Sequence, residues 1–435
     1  MRSRKSVFKT LFIFSFIGLG IGCFSSAAGA QVKLTLWYPA GQITSGVAPF
    51  ADKTIFAEFE AKNKCKVEAL EGNYDTLMQK IMTAMVGGDV PDILFIDRSW
   101  LPGFLKEEVL DVVPAADAKS WLGQVSPEIV ELSDYGQGKM YGYPQYGVQV
   151  YGITWNKDHF KTAGLDPEKP PQTWAELRQY SAKLRKADAS GNITRVGLAI
   201  RHVGHPHGVV HKFLWGFWAG GGELASDSKA LRGGRAKFNT EGVRDALKLI
   251  YDMIYVDKST SLNFPDPRDA FLQGIASMQI SETIAIQGRA PKEAPTLKWG
   301  VALPPVRKAG DSPVTNLNTW FYCVPTKTKN KALAWKAIQF INSVEKDYEL
   351  CKASNSTPRY KVNWSKEPFV SDPFNQSLKK MLPYGRPYPN NLGLNGIMEA
   401  LGAAIQKVWH NEAKIEVALA EAEALANKAI TEAAR

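Results

Sequence analysis

The chain has 435 residues, of which 45% are hydrophobic, and its formal net charge is +10. A single hydrophobic core rarely grows to serve so many residues, so the length predicts at least two lobes. Four of the surplus cations lie in residues 1–30, which leaves +6 on the rest of the chain. This diffuse surplus comes with no basic run containing interleaved aromatic residues, so we predict no nucleic-acid partner.

The first thirty residues have the order of a secretory signal peptide. A positively charged start precedes the apolar run Leu11 to Gly22, and the small residues Ala28 to Ala30 form a cleavage site before Gln31. We therefore expect export to the periplasm, with lipid attachment at Cys23 as an alternative to simple cleavage. No later run reaches the roughly 18 to 20 apolar residues that a membrane helix needs.

Strands and helices alternate in the region that follows. Residues Val32 to Trp37 read as a buried strand, Tyr74 to Val86 as an amphipathic helix, and Asp92 to Asp97 as a second buried strand. Further amphipathic helices are expected near residues 243–254, 334–341 and 415–430. This alternation predicts an α/β architecture with helices on the faces of a parallel or mixed sheet.

Residues 140–184 contain the most specific pattern in the chain. They include Tyr-Gly-Tyr-Pro from Tyr141, Trp-Asn-Lys-Asp-His-Phe from Trp155, Ala-Gly-Leu from Ala163, and Thr-Trp-Ala-Glu-Leu from Thr173. Thr173 and Glu176 have the spacing of a capping box, which predicts a helix start. The ordered string resembles the bacterial extracellular solute-binding proteins of family 1, the sugar-capturing components of ABC importers, a family that includes maltose-binding protein. Trp155 stands where tyrosine is usual.

The resemblance implies a two-lobed periplasmic-binding-protein fold. Each lobe would contain a mixed β-sheet flanked by helices, and the ligand cleft would lie between the lobes. The expected division gives lobe 1 residues 31–147 and 305–357, and lobe 2 residues 148–304 and 358–435. The resemblance further implies a monomer that closes around its ligand by a hinge, uses no cofactor, and delivers the ligand to an inner-membrane ABC permease.

Sugar binding requires flat apolar rings for the C–H faces of the sugar and planar polar groups for its hydroxyls. The segments that match ligand-contacting segments of the family supply both kinds of side chain. Some of the tryptophans have a competing interpretation as core residues, and Ile284 replaces a stacking tryptophan of the family pattern. The predicted ligand-binding residues are Tyr38, Gln42, Asp97, Arg98, Trp100, Tyr146, Gln149, Trp215, Trp218, Glu282, Asn318, Trp320 and Arg386.

Four of the six histidines lie between His202 and His211. Such a cluster raises the alternative of a zinc or nickel site. Dedicated sites usually add a carboxylate or a cysteine, and residues 203–210 contain neither. We therefore predict no metal site.

The chain contains no nucleophile elbow, zinc-protease helix or phosphate loop, so we predict a binding protein and not an enzyme. A pair of glycosidase carboxylates has no fixed spacing, which keeps an exported carbohydrate hydrolase as an alternative. A second alternative is a binding protein for an acidic or phosphorylated sugar. Cys65, Cys323 and Cys351 follow the leader, and either a Cys323–Cys351 disulfide or three buried thiols would suit them.

Overall fold

The computed structural model describes residues 31–39, 55–135, 138–145 and 147–435. The predicted signal peptide, Gln42 and Tyr146 lie outside the described residues. The strands are β1 (Val32–Pro39), β2 (Cys65–Gly72), β3 (Ile93–Asp97), β4 (Tyr143–Pro144), β5 (Gln149–Asn156), β6 (Lys186–Ala187), β7 (Ile193–Ala199), β8 (Ala276–Glu282), β9 (Trp299–Ala302), β10 (Thr315–Asn318), β11 (Trp320–Cys323) and β12 (Gly385–Pro387).

The helices surround these strands. They are α1 (Ala57–Asn63), α2 (Tyr74–Gly87), α3 (Leu101–Lys106), α4 (Ala115–Leu122), α5 (Pro127–Ser133), α6 (Lys157–Thr162), α7 (Trp174–Leu184), α8 (Pro206–Ala219), α9 (Glu241–Tyr255), α10 (Pro267–Leu272), α11 (Thr283–Glu293), α12 (Lys331–Ile341), α13 (Val344–Ser354), α14 (Pro373–Met381), α15 (Leu394–Trp409) and α16 (Ile415–Ala434).

The first sheet has the strand order β2-β1-β3-β11-β4 in the described part of the chain. Strands β1, β2 and β3 run parallel, whereas β11 runs antiparallel to β3, so the sheet is mixed. The predicted strands at Val32 and at Asp92 are confirmed as β1 and β3, and the helix predicted between them is confirmed as α2. The sequence predicts that β1 is buried, but Val32 and Lys33 are exposed and only alternate residues after them are fully buried up to Tyr38. All five residues of β3 are buried, which agrees with the apolar run Ile93 to Ile96 that precedes Asp97.

The second sheet is also mixed, with the path β12-β10-β5-β8-β7-β6 and β9 paired to β5. Strand β5 lies inside it and is buried over its whole length. The capping box that opens α7 is confirmed, because the Thr173 hydroxyl accepts from the Glu176 amide and the Glu176 carboxylate accepts from the Thr173 amide. The two sheets with their flanking helices form the two-lobed α/β fold that the sequence predicts.

The chain passes between the sheets at short segments. It leaves the first sheet after β4, enters the second at β5, and returns between Asn318 of β10 and Trp320 of β11. Gly147 adopts a left-handed φ of 80°, and its amide donates to the carbonyl of Thr357 at 2.9 Å. The lobe boundaries stay a prediction, with one difference: β10, expected in lobe 1, pairs with β5 and β12 of the second sheet.

The described cysteines are buried free thiols. Of the two alternatives left open by the sequence, the three buried thiols are confirmed and the Cys323–Cys351 disulfide is not formed. Cys323 lies on β11 against Gly142, whereas the Cys351 sulfur on α13 donates to the carbonyl of Thr357 at 3.2 Å. Burial raises the pKa of both thiols, which keeps them protonated. Among the described helices, none combines the length and the apolar character required to cross a bilayer.

Candidate ligand-binding site

One surface of the second sheet is polar although it is buried. Side chains two residues apart on a strand point to the same face, so Gln149 and Tyr151 of β5 lie together, as do Asn316 and Asn318 of β10. The register places Asn318 opposite Gln149, and Glu282 of β8 opposite Tyr151. Each of these five residues is less than a tenth exposed. We call these five residues the polar face.

Asn318 connects the polar face to the first sheet. Its amide nitrogen donates to the Asp97 carboxylate at 3.0 Å and to the Gln149 side-chain oxygen at 3.3 Å. Asp97 ends β3 and also accepts from the amide of Ser99 at 2.8 Å. Burial raises the pKa of Asp97 to about 6, and the negative charge of Glu282 acts in the same direction.

A buried ion pair lies at the other end of the polar face. Lys212 of α8 is 3.2 Å from the Glu282 carboxylate, which also accepts from the Tyr151 hydroxyl at 3.0 Å. Burial alone would raise the pKa of Glu282, but the charges of Lys212 and Arg268 outweigh it and hold this pKa well below its usual range. Burial lowers the pKa of Lys212, against the effect of Glu282. Asp266 pairs with Arg268 at 2.9 Å.

Aromatic rings flank these polar groups. The ring of Tyr74, at the start of α2, lies 5.0 Å from Trp100 and 6.1 Å from Trp320 between centroids. On the second-sheet side, the Tyr388 ring lies 5.2 Å from His211, and its hydroxyl accepts from the Asn316 amide at 2.6 Å. The arrangement therefore offers apolar ring surfaces next to planar hydrogen-bonding groups, which is the combination that sugar recognition requires.

Several buried polar atoms here have no hydrogen-bond partner among the described residues. They include the side-chain oxygens of Asn316 and Asn318, the Nε2 of His211, and the indole nitrogens of Trp218 and Trp320. Leaving a buried polar group unpaired costs about 1 to 3 kcal/mol. A ligand with many hydroxyl groups could donate to the two amide oxygens and accept from the indole nitrogens.

The structure gathers Asp97, Trp100, Gln149, Glu282, Asn318 and Trp320 around the polar face, but it gives other predicted residues different surroundings. Trp215 of α8 packs against Trp174 of α7 in the hydrophobic core of the second lobe. Tyr38 is buried in β1, within the core of the first lobe. Arg98 donates to the carbonyl oxygens of Leu132 and Tyr388 and to the Asn390 side chain, and so ties two segments together.

Trp218 and Arg386 form a separate group. The Arg386 guanidinium lies over the Trp218 ring, 5.1 Å from its centroid, and also pairs with Glu223. In the β10–β12 register, Arg386 is aligned with Asn316 of the polar face. This pair therefore borders the site from the side of β12.

The resemblance to the family predicts loops at residues 281–283 and 315–320, and parts of both segments are strands in the structure. Residues 315–318 form β10, Trp320 begins β11, and Glu282 ends β8. Asparagine usually indicates a turn, but here the alternate asparagines line a polar surface. The sequence reasoning missed Tyr151, Lys212 and Tyr74. Tyr151 is two residues from Gln149 on the same strand face. Lys212 is the one lysine, arginine, aspartate or glutamate in the mostly apolar residues 208–218.

The site belongs to a chain with recognisable relatives. A binding protein of Brucella abortus (strain 2308) is 26% identical over 426 residues, with 94% of this chain and 96% of the relative covered. The sn-glycerol-3-phosphate-binding periplasmic protein UgpB of Shigella flexneri is 29% identical over 179 residues, 39% of each chain. An ABC transporter solute-binding protein of Thermotoga lettingae, solved with α-D-tagatose, has a TM-score of 0.79 and 24% identity, covering 92% of this chain and 100% of that one.

The structural likeness confirms the fold, and the family model identifies the chain. The model of the bacterial extracellular solute-binding proteins matches residues 44–347, which is more than half of the sequence. The matched range contains β3, β5, β8 and β10, the strands that position Asp97 and the polar face. The chain therefore belongs to the family of bacterial extracellular solute-binding proteins.

Proposed function

We propose that this protein is the periplasmic binding component of an ABC importer and that it captures a neutral sugar or polyol between its lobes. The observation that carries the proposal is the buried polar face, whose Asn316 and Asn318 oxygens lack partners among the described residues. Hydroxyl hydrogens of a ligand would satisfy both oxygens, while Trp320 and Tyr74 would cover an apolar sugar face.

The charges around the site favour a neutral ligand. Lys212 is paired with Glu282, Arg268 with Asp266, and Arg386 with Glu223. A cation that already has a carboxylate partner gains less from an anionic ligand. A phosphorylated ligand is the second candidate, because UgpB relatives are named for sn-glycerol 3-phosphate and because the hydrogen-bond acceptors of buried Arg98 are all neutral.

We expect the cognate ligand to raise the melting temperature of the protein. A ligand at about 100 times its dissociation constant stabilises the native state by about 2.7 kcal/mol, which corresponds to a shift of several degrees. A thermal-shift screen should contain neutral mono- and oligosaccharides, polyols, uronates and sugar phosphates. Stabilisation by neutral compounds alone supports the main proposal, and stabilisation by phosphorylated compounds alone favours the second candidate.

The same compounds separate a receptor from a hydrolase. The protein is incubated with each stabilising oligosaccharide and the products are analysed by chromatography. A binding protein returns the oligosaccharide intact. Release of shorter sugars that depends on Asp97 or Glu282 would instead identify an exported hydrolase.

Ligand capture should also make the protein more compact. The lobes are joined by short crossings near Gly147 and Thr319, and the site residues come from both sheets. A ligand that contacts both lobes stabilises the closed form by the difference between its affinities for the closed and the open forms. Small-angle scattering should therefore give a smaller radius of gyration with the stabilising ligand than without it. An unchanged radius at saturation would contradict hinge closure.

A further inference from the structure

Three side chains with metal-ligating atoms converge beside α8, one turn away from the ligand site. His205 caps the N-terminus of α8, His207 lies in its first turn, and Glu399 projects from α15. Glu399 Oε1 is 3.3 Å from His205 Nε2 and 3.5 Å from His207 Nε2. The three ligand atoms all lie within 4.8 Å of one another. We call these residues the His-His-Glu cluster.

These distances suit a small transition-metal ion. Zinc binds histidine nitrogen and carboxylate oxygen at about 2.0 to 2.2 Å in tetrahedral geometry, so two of its ligand atoms lie roughly 3.3 to 3.6 Å apart. Both nitrogen–oxygen distances in the cluster fall in that range. Imidazole ligands favour zinc and its transition-metal neighbours over magnesium and calcium, which prefer oxygen. We propose that His205, His207 and Glu399 bind one zinc-like divalent ion, which leaves a fourth position for water.

The contribution of Glu399 changes the prediction made from sequence. Residues 203–210 supply no carboxylate or cysteine, so the histidines alone predicted no metal site. The packing of α15 against α8 brings the missing carboxylate to them. Nothing in the local sequence around the histidines indicates this contact, because Glu399 comes from a distant part of the chain.

The surroundings of the cluster favour metal binding. Side-chain exposure is 1% for His207, and neither of its ring nitrogens has a hydrogen-bond partner among the described residues, so the imidazole has a nitrogen available to a metal ion. His205 Nδ1 accepts a long 3.3 Å bond from the His207 amide. Binding metal through Nε2 would place the proton on Nδ1 and break this hydrogen bond. The cost is small because the bond is long.

The cluster also lies at a contact between the lobes. The His205 ring is 6.2 Å from the ring of Tyr74, which belongs to α2 and touches Trp100 at the ligand site. His211, one helical turn after His207, lines the ligand site itself. A metal ion here would therefore hold His205 and His207 in place beside the cleft without occupying it.

The test is a zinc titration of purified protein without a polyhistidine tag, after treatment with a chelator. Calorimetry with zinc chloride should give one ion per chain, and cobalt should produce the visible absorption of a tetrahedral site. Glu399→Gln and His207→Gln should each weaken zinc binding by at least about tenfold, because loss of even an outer-shell partner commonly costs 10- to 100-fold. Denaturant unfolding of both variants checks that they remain folded.

A neighbouring histidine pair provides the matched control. His202 Nδ1 lies 3.1 Å from His410 Nε2, and neither residue is in the cluster. His410→Gln should leave zinc affinity unchanged. No binding at zinc concentrations up to about 0.1 mM, wild-type affinity in both folded cluster variants, or loss of binding in His410→Gln would each overturn the proposal. The titration contains no sugar, so its outcome is independent of the proposed transport function.

Discussion

Replacing Glu282 with Gln should lower the free energy of unfolding by about 3 to 5 kcal/mol. The substitution keeps the shape of the side chain and its ability to accept from Tyr151, but it removes the negative charge 3.2 Å from Lys212. Lys212 would then be buried without the carboxylate that pairs with it. Urea unfolding of wild type and variant at neutral pH measures the difference.

The control for this prediction is the same substitution at an exposed ion pair. Glu293 pairs with Arg289 at 2.7 Å, and its side chain is 42% exposed. Glu293→Gln should cost less than about 1 kcal/mol, because solvent screens exposed pairs. Adding Lys212→Met to Glu282→Gln should restore most of the lost stability, since the unpaired cation is then removed. A Glu282→Gln cost no larger than that of Glu293→Gln would contradict the role assigned to the pair.

The pH dependence of stability provides a second test of the role of Glu282. The pKa of folded Glu282 is held well below its usual range by Lys212 and Arg268, against the opposing effect of burial. A carboxyl with a depressed folded pKa contributes stability above its unfolded pKa and loses that contribution as pH falls below it. The stability difference between wild type and Glu282→Gln should therefore narrow as pH drops below about 4.5.

The sequence predicts the fold well where local signals suffice. The apolar residues of Val32 to Trp37 and the apolar run Ile93 to Ile96 predict β1 and β3, and the capping box at Thr173 marks the start of α7. The sequence predicts a strand poorly where polar residues of a binding site replace the usual apolar ones. Strand β10 reads as a loop because Asn316 and Asn318 occupy the positions at which an ordinary buried strand has apolar side chains.

The candidate site can be predicted only in part from the sequence, because many of its contacts join residues that are distant in the chain. Family-like segments indicate Asp97, Gln149 and Asn318, and the structure brings these three together. Pairing between distant elements, such as Lys212 with Glu282, has no local signal. The sequence also does not distinguish a tryptophan of the core from one beside the ligand site. Trp215 packs in the core of the second lobe, whereas Trp320 belongs to the other core and lies beside the polar face.

Asp97 should make ligand affinity depend on pH. Burial raises its pKa to about 6, so the carboxyl is mostly ionised near pH 7.5 and mostly protonated near pH 5. An ionised carboxylate accepts a stronger hydrogen bond from a sugar hydroxyl than a neutral acid does, by about 1 to 1.5 kcal/mol. Affinity should therefore fall about five- to tenfold on acidification across this range. Calorimetry with the sugar identified in the screen, at several pH values, gives the profile.

Asp97→Asn is the matched variant for that profile, because it keeps the size of the side chain and removes its titration. It should bind the sugar about five- to tenfold more weakly than wild type near pH 7.5, with an affinity that stays flat down to about pH 5. Its stability should not fall as much as that of Glu282→Gln, because Asp97 is bonded to the amides of Ser99 and Asn318 and has no ion pair among the described residues. If Asp97→Asn kept the wild-type pH dependence, another group would be responsible for it. If wild-type affinity rose on acidification, the ligand would be accepting a hydrogen bond from the protonated carboxyl of Asp97, as an anionic ligand would, and the neutral-sugar proposal would fail.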